Sequence, residues 1–466
     1  MTQRAITPNP RTPNSKKNGE KAQVNEEVVA KVFNTPLALW KGTQEEAWEH
    51  AVDLMPRGTQ TMSKCPNQFV DGVYPKFAVE ANGAYLTCPD PLNNDVLTEY
   101  LDFMCSLGPI ILGYNHENTN NAVKDQLTRG MIFSLPSLLE QKVAQLVIDT
   151  VPCAEQVRFG KNGTDVTLAA VRIARSFTGK EHIAKCGYHG WGDWAGVTLR
   201  DYGIPAAMKD IVHEFEYNDL VGLERILKAQ EVAAIIMEAQ ALEAPQLGFL
   251  EGIRALADKY EAVLIFDEVV TGYRWALGGA QQHYGVTPDL ATLGKAIANG
   301  APLSAICGKR KFMQEMDHIF FSMTFGCDTI ALACAEATIK ELKTKDYSHI
   351  WKLGDMLSDG IKAMAMYHGL KVNFTGSGPR HNLTFNDEYA DPDGMKALFY
   401  QEMCKRKILF PNVIYVSFAH TEADIAKTIL AAGEAFKFVA QNAPDIDAVL
   451  EGKRPTNVFK PRKTES

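Results

Sequence analysis

The chain of 466 residues carries 48 basic and 56 acidic side chains, for a net charge of −8, and 46% of its residues are hydrophobic. This length exceeds what one hydrophobic core usually supports, so we expect more than one domain. The charge balance argues against nucleic acid as a main partner, and no apolar run is long enough to span a membrane. The nine cysteines are scattered and never spaced as CxxC, which argues against structural zinc or a disulfide framework and favours a reducing, cytoplasmic compartment.

Both ends of the chain are polar and basic. Residues 1–33, which begin MTQRAITPNPRTPNSKKNGEKAQVN, are predicted to be a disordered tail, with an organellar transit peptide as the alternative. Residues 451–466 are predicted to be a solvated basic tail, with a charged patch for a partner as the alternative. Residues 34–104 and 346–450 mix turns, short strands and helices, and we expect them to form a smaller α+β domain together.

Strands and helices alternate between about residues 105 and 345. EQVRFG at 155–160 predicts a strand, and TDVTLAAVRIARSFTG after it predicts a helix that Gly179 closes. Further strands are predicted in HIAKCG, VAAIIME, EAVLIFDEVV, DLATLG and LSAICG, and a helix in GFLEGIRALADKY. EAVLIFDEVV is a continuous apolar run of the kind found in a sheet covered on both faces. The pattern predicts an α/β fold whose large domain has a mostly parallel central sheet.

Two strand ends carry residues suited to holding a ligand. In RFGKNGTDVT a strand runs into Asn162, Gly163 and Thr164 at the start of a helix, where unpaired N–H groups suit an anion. In CGYHGWGDW, Tyr188 and His189 follow another strand, and an aromatic side chain there could stack on a flat ring. Helix capping and core packing explain these motifs equally well when each is taken alone.

An acid and a lysine complete the set. Asp267 follows the apolar run AVLIF, and Lys295 lies among small residues in ATLGKAIANG. A buried ion pair would explain these two residues alone. Together with the anion cradle and the aromatic face, they match the needs of pyridoxal phosphate, whose aldehyde condenses with an amine and whose ring nitrogen requires an acid. No metal is expected at the site.

The segment LIFDEVVTGYRWALGGAQQHYGVTPDLATLGKAIANGAPLSAICG resembles the class III aminotransferases, which are pyridoxal-phosphate enzymes of fold type I. The likeness extends over residues 50–430. Within the family, the chain is similar to the branch that contains glutamate-1-semialdehyde aminomutase and the sugar-type aminotransferases. It implies Lys295 as the Schiff-base lysine and Asp267 as the partner of the pyridine nitrogen. The other cofactor-binding residues that it implies are Gly163, Thr164, Tyr188, His189, Glu238 and Val269. Thr324, in FSMTFGCDTI, would reach the cofactor of the neighbouring subunit, which implies a homodimer with shared active sites.

The resemblance implies transfer of an amino group from a donor amine or amino acid to a carbonyl acceptor by a ping-pong mechanism. The alternatives are intramolecular transfer of the aminomutase type, decarboxylation or racemisation, and a non-catalytic binding protein on the same scaffold. WGDWAGVTLRDYGIPAAMKD lacks the Gly/Ser-rich gating loop of the aminomutase, and RGTQTMSKCPNQF replaces its Ser-Pro-Val-Arg segment. Both departures favour transfer between two molecules. NGTDV also replaces the usual Ser-Gly-Thr-Glu-Ala, and Ala239 stands where proline usually follows the glutamate.

Substrate recognition is the least defined part of the sequence. Arg380 and Arg274 could each bind a carboxylate with two N–H groups. An exposed surface position is the alternative for Arg380, and a structural role is the alternative for Arg274. Glu243 could meet a hydroxyl or amine of the substrate.

Overall fold

The computed structural model describes residues 43–456, which contain three sheets. The strands, numbered in chain order, are β1 (Glu80–Asn82), β2 (Tyr85–Asp90), β3 (Val96–Asp102), β4 (Gln156–Gly160), β5 (His182–Cys186), β6 (Val212–Glu214), β7 (Val232–Met237), β8 (Val263–Glu268), β9 (Leu290–Leu293), β10 (Ser304–Gly308), β11 (Val372–Ser377), β12 (Arg380–Phe385), β13 (Ile408–Leu409) and β14 (Ile414–Tyr415). The six strands predicted from the sequence correspond to β4, β5, β7, β8, β9 and β10. The short strand β6 was not predicted.

The α-helices surround these sheets. They span Gln44–Leu54, Glu117–Leu127, Leu138–Thr150, Gly163–Thr178, Asp193–Gly196, Met208–Ile211, Leu220–Ala229, Phe249–Lys259, Gly279–Tyr284, Arg310–Met313, Thr329–Leu342, Ser348–Tyr367, Pro392–Lys405, Glu422–Asn442 and Ile446–Val449. Both predicted helices are present. The one that begins at Gly163 buries Val166, Ala170 and Ile173 along one face and ends at Gly179, whose φ of +69° suits a helix C-terminus.

The large sheet has seven strands in the order β4-β10-β9-β8-β7-β5-β6. Strand β10 runs antiparallel to both of its neighbours, and the pairs from β9 to β6 are parallel. Every residue of β7 and β8 is buried, as expected for central strands covered by helices on both faces. Because parallel strands end at the same edge, the residues after β5, β7, β8 and β9 lie close together.

The flanks of the chain meet in the smaller sheets. Strand β13 pairs in parallel with β3, so one four-stranded sheet contains residues from both sides of the large domain. Strands β11, β12 and β14 form a third, antiparallel sheet. The predicted fold class, a mostly parallel α/β domain with a smaller α+β domain built from both flanks, is therefore confirmed.

The first predicted tail, residues 1–33, and residues 457–466 of the second tail lie outside the described residues, which begin at 43 and end at 456. The described start of the second tail is attached to the fold, unlike the solvated tail that the sequence suggests. Lys453 donates its N–H to the Asp71 carbonyl at 2.8 Å, and Thr456 donates to the Asn67 carbonyl at 2.7 Å. Within residues 43–456, none of the helices has the length and apolar character needed to cross a lipid bilayer.

Candidate active site

Lys295 lies in the turn that follows strand β9, at the start of the short helix Lys295–Ala298. Its φ of +43° is a left-handed conformation that costs a non-glycine residue about 1–2 kcal/mol. The side chain passes Gly108, where an added Cβ would lie 3.4 Å from Lys295 Cδ. Within residues 43–456 the Lys295 ammonium has no hydrogen-bond or salt-bridge partner. The lysine is thus partly buried and its nitrogen is open to a reaction partner.

Asp267 lies near the end of the neighbouring strand, β8, and is almost completely buried. One carboxylate oxygen lies 2.7 Å from Nδ1 of His189, and the other accepts hydrogen bonds from the Val269 N–H and the Thr292 hydroxyl, each at 3.1 Å. A carboxylate has about four lone-pair positions, so these contacts leave one position open. A ring nitrogen that carries a proton could donate to it.

His189 is held in a fixed orientation by two partners. Its Nε2 lies 3.0 Å from the Cys186 carbonyl oxygen, which can only accept, so Nε2 carries a hydrogen. The 2.7 Å contact of Nδ1 with the Asp267 carboxylate fixes the other side of the ring. The imidazole therefore contacts the Asp267 carboxylate directly and helps to hold it in place.

The turn before the helix that begins at Gly163 has the form of an anion cradle. The Asp165 carboxylate accepts the N–H groups of Lys161 at 2.9 Å and Asn162 at 2.7 Å, which fixes the entry to the helix. The first N–H groups of an α-helix, here those of Gly163 and Thr164, have no partner inside the helix and carry its positive dipole end. Such an arrangement suits a phosphate group.

Val269 connects this cradle with the lysine turn. A Cβ added to Gly163 would lie 3.2 Å from Val269 Cγ1, and one added to Gly294 would lie at the same distance. Both glycines therefore allow the isopropyl group to pack against the backbone. Val269, one of the cofactor-binding residues that the resemblance implies, therefore lies between the turn at Gly163 and the turn at Lys295.

Tyr188 and the loop around it face the same space. The Tyr188 side chain is 52% exposed, and burial together with the nearby negative charge of Asp267 raises its pKa. The loop packs on the phosphate turn, since the Trp191 N–H donates to the Thr164 hydroxyl at 3.3 Å. Gly190 has a φ of +102°, and a Cβ there would collide with the same hydroxyl at 2.3 Å. Glycine is therefore required at this position.

Arg380 opens strand β12 and is buried, so the exposed position considered from the sequence is wrong. Its Nη1 lies 2.7 Å from Oε2 of Glu238, which follows strand β7. Burial by itself would lower the pKa of Arg380, but the Glu238 carboxylate raises it above its usual value. Arg380 pairs in register with Tyr415, whose ring contacts the same point at Gly108 as Lys295 does.

The sequence also named Arg274, Glu243 and Thr324, for which the structure shows no hydrogen bond or salt bridge to Lys295 or Asp267 within residues 43–456. Arg274 is completely buried and donates to the carbonyl oxygens of Gly108, Ile110 and Val416 at 2.7–2.8 Å, which is a structural role. Glu243 is exposed and, within the described residues, has no hydrogen-bond partner. Thr324 is exposed on a surface loop, and nothing in a single chain brings it to the Lys295 site.

Sequence reasoning missed two residues that position this site. Thr292 supports Asp267 because the parallel pairing of β8 with β9 places the two residues side by side. Thr167 donates its hydroxyl to the His189 carbonyl oxygen at 2.9 Å from inside the helix. The register of two predicted parallel strands could have found Thr292. Nothing in the sequence signals the contact made by Thr167.

These residues fit pyridoxal phosphate by their own geometry. A lysine without a partner, a buried carboxylate with one open lone pair, a helix N-terminus and a half-exposed tyrosine lie at one edge of the sheet. The fold and this set of residues define a pyridoxal-phosphate-dependent transferase.

Comparison with known proteins gives the family. The sequence profile of the class III aminotransferases matches residues 71–373, and the chain belongs to this family. It is 35% identical over 401 residues to a 3-aminobutyryl-CoA aminotransferase of Cloacimonas acidaminovorans (strain Evry), covering 83% of this chain and 95% of the relative. It is 36% identical over 402 residues to a glutamate-1-semialdehyde 2,1-aminomutase of Syntrophobacter fumaroxidans (strain DSM 10017 / MPOB), covering 78% and 91%.

A solved structure with the same fold is the FumI protein of Sphingopyxis sp. MTA144 in its PLP internal aldimine form. It superposes with a TM-score of 0.80 at 27% identity, covering 88% of this chain and 98% of that chain. The predicted family, fold and cofactor are thereby confirmed, and the chain is an enzyme of the aminotransferase class.

Proposed function

We propose that this enzyme moves an amino group from a donor amine or amino acid to a separate carbonyl acceptor in a ping-pong cycle. The observation that carries the proposal is the pairing of an unpartnered Lys295 with an Asp267 carboxylate that retains one open lone pair. When bound, pyridoxal phosphate supplies a carbonyl carbon that joins amines and a ring that withdraws electrons from them. Everything else in the reaction depends on how the protein holds and moves protons.

Lys295 has two roles in this proposal. Its Nζ would hold the cofactor covalently, and as a free amine it would carry the proton that leaves the substrate carbon. Asp267 keeps the ring nitrogen protonated by accepting its hydrogen bond. His189 and Thr292 hold that carboxylate in place from the protein side.

The remaining cofactor contacts follow from position. The N–H groups of Gly163 and Thr164 would bind the phosphate, and Val269 and Tyr188 would hold the ring. Glu238 stays a proposed cofactor-binding residue, and its carboxylate also forms the salt bridge with Arg380.

We assign Arg380 to the carboxylate of the substrate. The guanidinium lies at the Lys295 edge, and its salt bridge with Glu238 uses Nη1, one of several N–H donors. A substrate carboxylate would compete with Glu238 for this guanidinium. Glu243, exposed on the loop after Glu238, has the reach of a flexible surface side chain and is the weaker candidate for a substrate contact.

We also propose a homodimer in which Thr324 completes the neighbouring site. Thr324 lies on a loop that exposes Phe320 by 86% and Phe325 by 62%. A second exposed apolar stretch includes Leu135 at 77% and Leu138 at 71%. Exposed apolar side chains of this size favour an interface between subunits, and two-fold symmetry is the commonest arrangement. A location in the reducing cytoplasm remains part of the proposal.

Intramolecular transfer is the second candidate, because aminomutases are among the relatives at 32–36% identity. The Gly/Ser-rich gating loop that would favour it is absent from the sequence. The name of the relative from Cloacimonas acidaminovorans suggests a β-amino acyl thioester as one substrate to test.

The test begins with purified protein and added pyridoxal phosphate. The protein should turn yellow, and borohydride reduction followed by peptide mapping should find the cofactor fixed to Lys295. A donor amine alone should then convert the bound cofactor to its aminated form, and an added carbonyl compound should restore the original spectrum. Product formation from one substrate without any acceptor would instead establish the intramolecular reaction. Failure to label Lys295 would refute the proposal.

A further inference from the structure

Lys185 is a completely buried lysine that none of the roles above explains. It lies in strand β5 between Ala184 and Cys186, and its side chain has no exposed surface. An isolated buried ammonium is costly, and an apolar residue would suit a central strand better. A buried ammonium at such a position needs hydrogen-bond acceptors.

Three acceptors surround the Lys185 ammonium. Nζ lies 3.2 Å from the Gly187 carbonyl oxygen, 3.5 Å from the Ala195 carbonyl oxygen and 3.0 Å from Oε1 of Glu214. A lysine ammonium has three N–H donors, so its capacity is matched. Two of the three acceptors are backbone carbonyls of the segment that follows β5.

The Gly187 carbonyl lies at the start of the loop 187–192, and the Ala195 carbonyl lies in the short helix Asp193–Gly196 that follows this loop. The loop contains Tyr188 and His189, the residues proposed to cover the cofactor ring and to support Asp267. Its middle is fastened by the Thr167 hydroxyl and by the Thr164 hydroxyl. Lys185 is thus the side chain that joins the start of the loop to the short helix after it and both to the sheet.

We propose that Lys185 is a positioning residue that sets the Tyr188 ring and the His189 imidazole for cofactor binding. The inference rests on the proposed function, since it requires a ring between Tyr188 and Val269. Gly187, directly before Tyr188, has a φ of +95°, so the chain turns sharply at the carbonyl that Lys185 holds. Loss of the ammonium would let this turn, and the tyrosine after it, adopt other orientations.

The test replaces Lys185 with methionine, which has a similar length and no donor. We expect the equilibrium dissociation constant for pyridoxal phosphate, measured on cofactor-free protein, to rise about tenfold. The visible circular dichroism of the bound cofactor should weaken, because its ring is no longer fixed between two faces. The pH midpoint of its absorbance change should also move, since the loop carries His189, whose imidazole contacts the Asp267 carboxylate in strand β8.

Two further variants separate positioning from general stability. Lys396→Met removes another partly buried lysine, which lies beside Tyr400 in the helix Pro392–Lys405, far along the chain from the site. It should lower the melting temperature and leave cofactor affinity and dichroism unchanged. Lys185→Arg keeps the charge but cannot direct one nitrogen at three acceptors, so it should change the dichroism even if Lys185→Met does not fold.

A double-mutant cycle tests whether Lys185 acts through Tyr188. In a Tyr188→Ala background, Lys185→Met should change the dissociation constant by less than about twofold, because the ring that it positions is gone. The inference is overturned if Lys185→Met and Lys185→Arg keep wild-type affinity and dichroism, or if the Lys185→Met effect is undiminished without Tyr188. Failure of wild-type protein to attach the cofactor at Lys295 would refute the proposed function instead, so the two failures are distinguishable.

Discussion

The turns after strands β8 and β9 each place a cation beside Gly108, and they treat it in opposite ways. Arg274 is completely buried and donates to three carbonyl oxygens, among them that of Gly108 itself. Lys295 passes the other side of the same glycine and has no polar partner within residues 43–456. The fold can evidently satisfy a cation here, so the open nitrogen of Lys295 indicates a partner that comes from outside the chain.

The two acids at the end of β8 differ in the same way. Glu268 is completely buried and accepts hydrogen bonds from the N–H groups of Ala280 at 2.7 Å and Gln281 at 2.8 Å, at the start of the helix Gly279–Tyr284. Burial raises its pKa, and these donors oppose the shift. Asp267, one residue earlier, points to the other face and keeps an open lone pair. Unused hydrogen-bonding capacity therefore distinguishes the proposed catalytic groups from structural ones.

The largest effect should follow from Lys295→Ala. If the nitrogen joins the cofactor and carries the substrate proton, turnover should fall by about a thousandfold or more. The melting temperature of cofactor-free protein should stay within about 2 °C, because the ammonium has no partner to lose. The measurements are steady-state kinetics and thermal unfolding. Lys309→Ala is the control, since Lys309 binds Asp289 at the opposite edge of the same sheet. Wild-type turnover in the Lys295→Ala protein would contradict the assignment.

Arg274→Met should show the reverse pattern. Three buried carbonyl oxygens would lose a charged donor, and each such hydrogen bond contributes about 1.5–3 kcal/mol. We expect a loss of about 4 kcal/mol in the free energy of unfolding, measured by urea denaturation. Cofactor should still attach at Lys295 under conditions where the variant is folded. Arg254→Met, which removes a partly exposed ion pair with Asp289, should cost much less. Equal stability of the Arg274→Met variant and the wild type would mean that these contacts are dispensable.

The contrast between satisfied and open groups could be predicted only in part. The apolar runs of the strands and the periodicity of two helices predict the large domain, because a strand that is buried on both faces consists of consecutive apolar residues. The antiparallel direction of β10 cannot be predicted in this way, since its residues are buried like those of the parallel strands β7 and β8. Lys295, Asp267 and the phosphate turn follow from motifs at strand ends.

Contacts between residues far apart in the chain could not be predicted from the sequence, for a physical reason. His189 and Asp267 lie 78 positions apart, and only the packing of β5 and β8 in one sheet brings the imidazole to the carboxylate. Arg380 reads as a surface residue because the sequence around it does not show that β12 closes over Glu238. Lys185 did carry a signal in the sequence, because, like Lys295, it is a charged residue among apolar neighbours.

A buried histidine whose two ring nitrogens are both hydrogen-bonded, His420, predicts how the free energy of unfolding depends on pH. His420 accepts the Ser417 N–H at Nδ1 and donates from Nε2 to the Asp102 carbonyl, so its buried imidazole is neutral. Burial lowers the pKa of His420 to about 4, against about 6.5 for an exposed histidine. The unfolded chain therefore binds the extra proton first as pH falls. This contribution, about 3 kcal/mol, is present above pH 6.5 and is lost progressively toward pH 4.

Thermal unfolding from pH 7 to pH 4.5 measures this contribution. His420→Asn should be less stable at pH 7 and should lose less stability on acidification than the wild type does. His349→Gln, at a partly exposed position in the helix Ser348–Tyr367, should leave the slope unchanged. Parallel slopes for His420→Asn and wild type would show that His420 does not titrate on unfolding.

The smallest expected effect concerns Arg380, which combines features of both groups because it is buried and paired yet proposed to bind substrate. Arg380→Lys keeps the charge but loses the planar, two-pronged donor, so KM for a carboxylate-bearing acceptor should rise about tenfold with little change in kcat. An acceptor without a carboxylate should show no such change. Arg454→Lys, at the exposed pair with Asp391, is the control.

Glu238→Gln changes the other partner of the Arg380–Glu238 salt bridge and should have the opposite effect on KM. In the structure Glu238 occupies Nη1 of Arg380, so an incoming carboxylate has to displace it. A neutral glutamine binds the guanidinium less strongly, and KM for the carboxylate-bearing acceptor should therefore fall by a few-fold. If both substitutions raise KM for acceptors with and without a carboxylate alike, the salt bridge only holds β12 against β7, and Arg380 belongs with Arg274 among the structural cations.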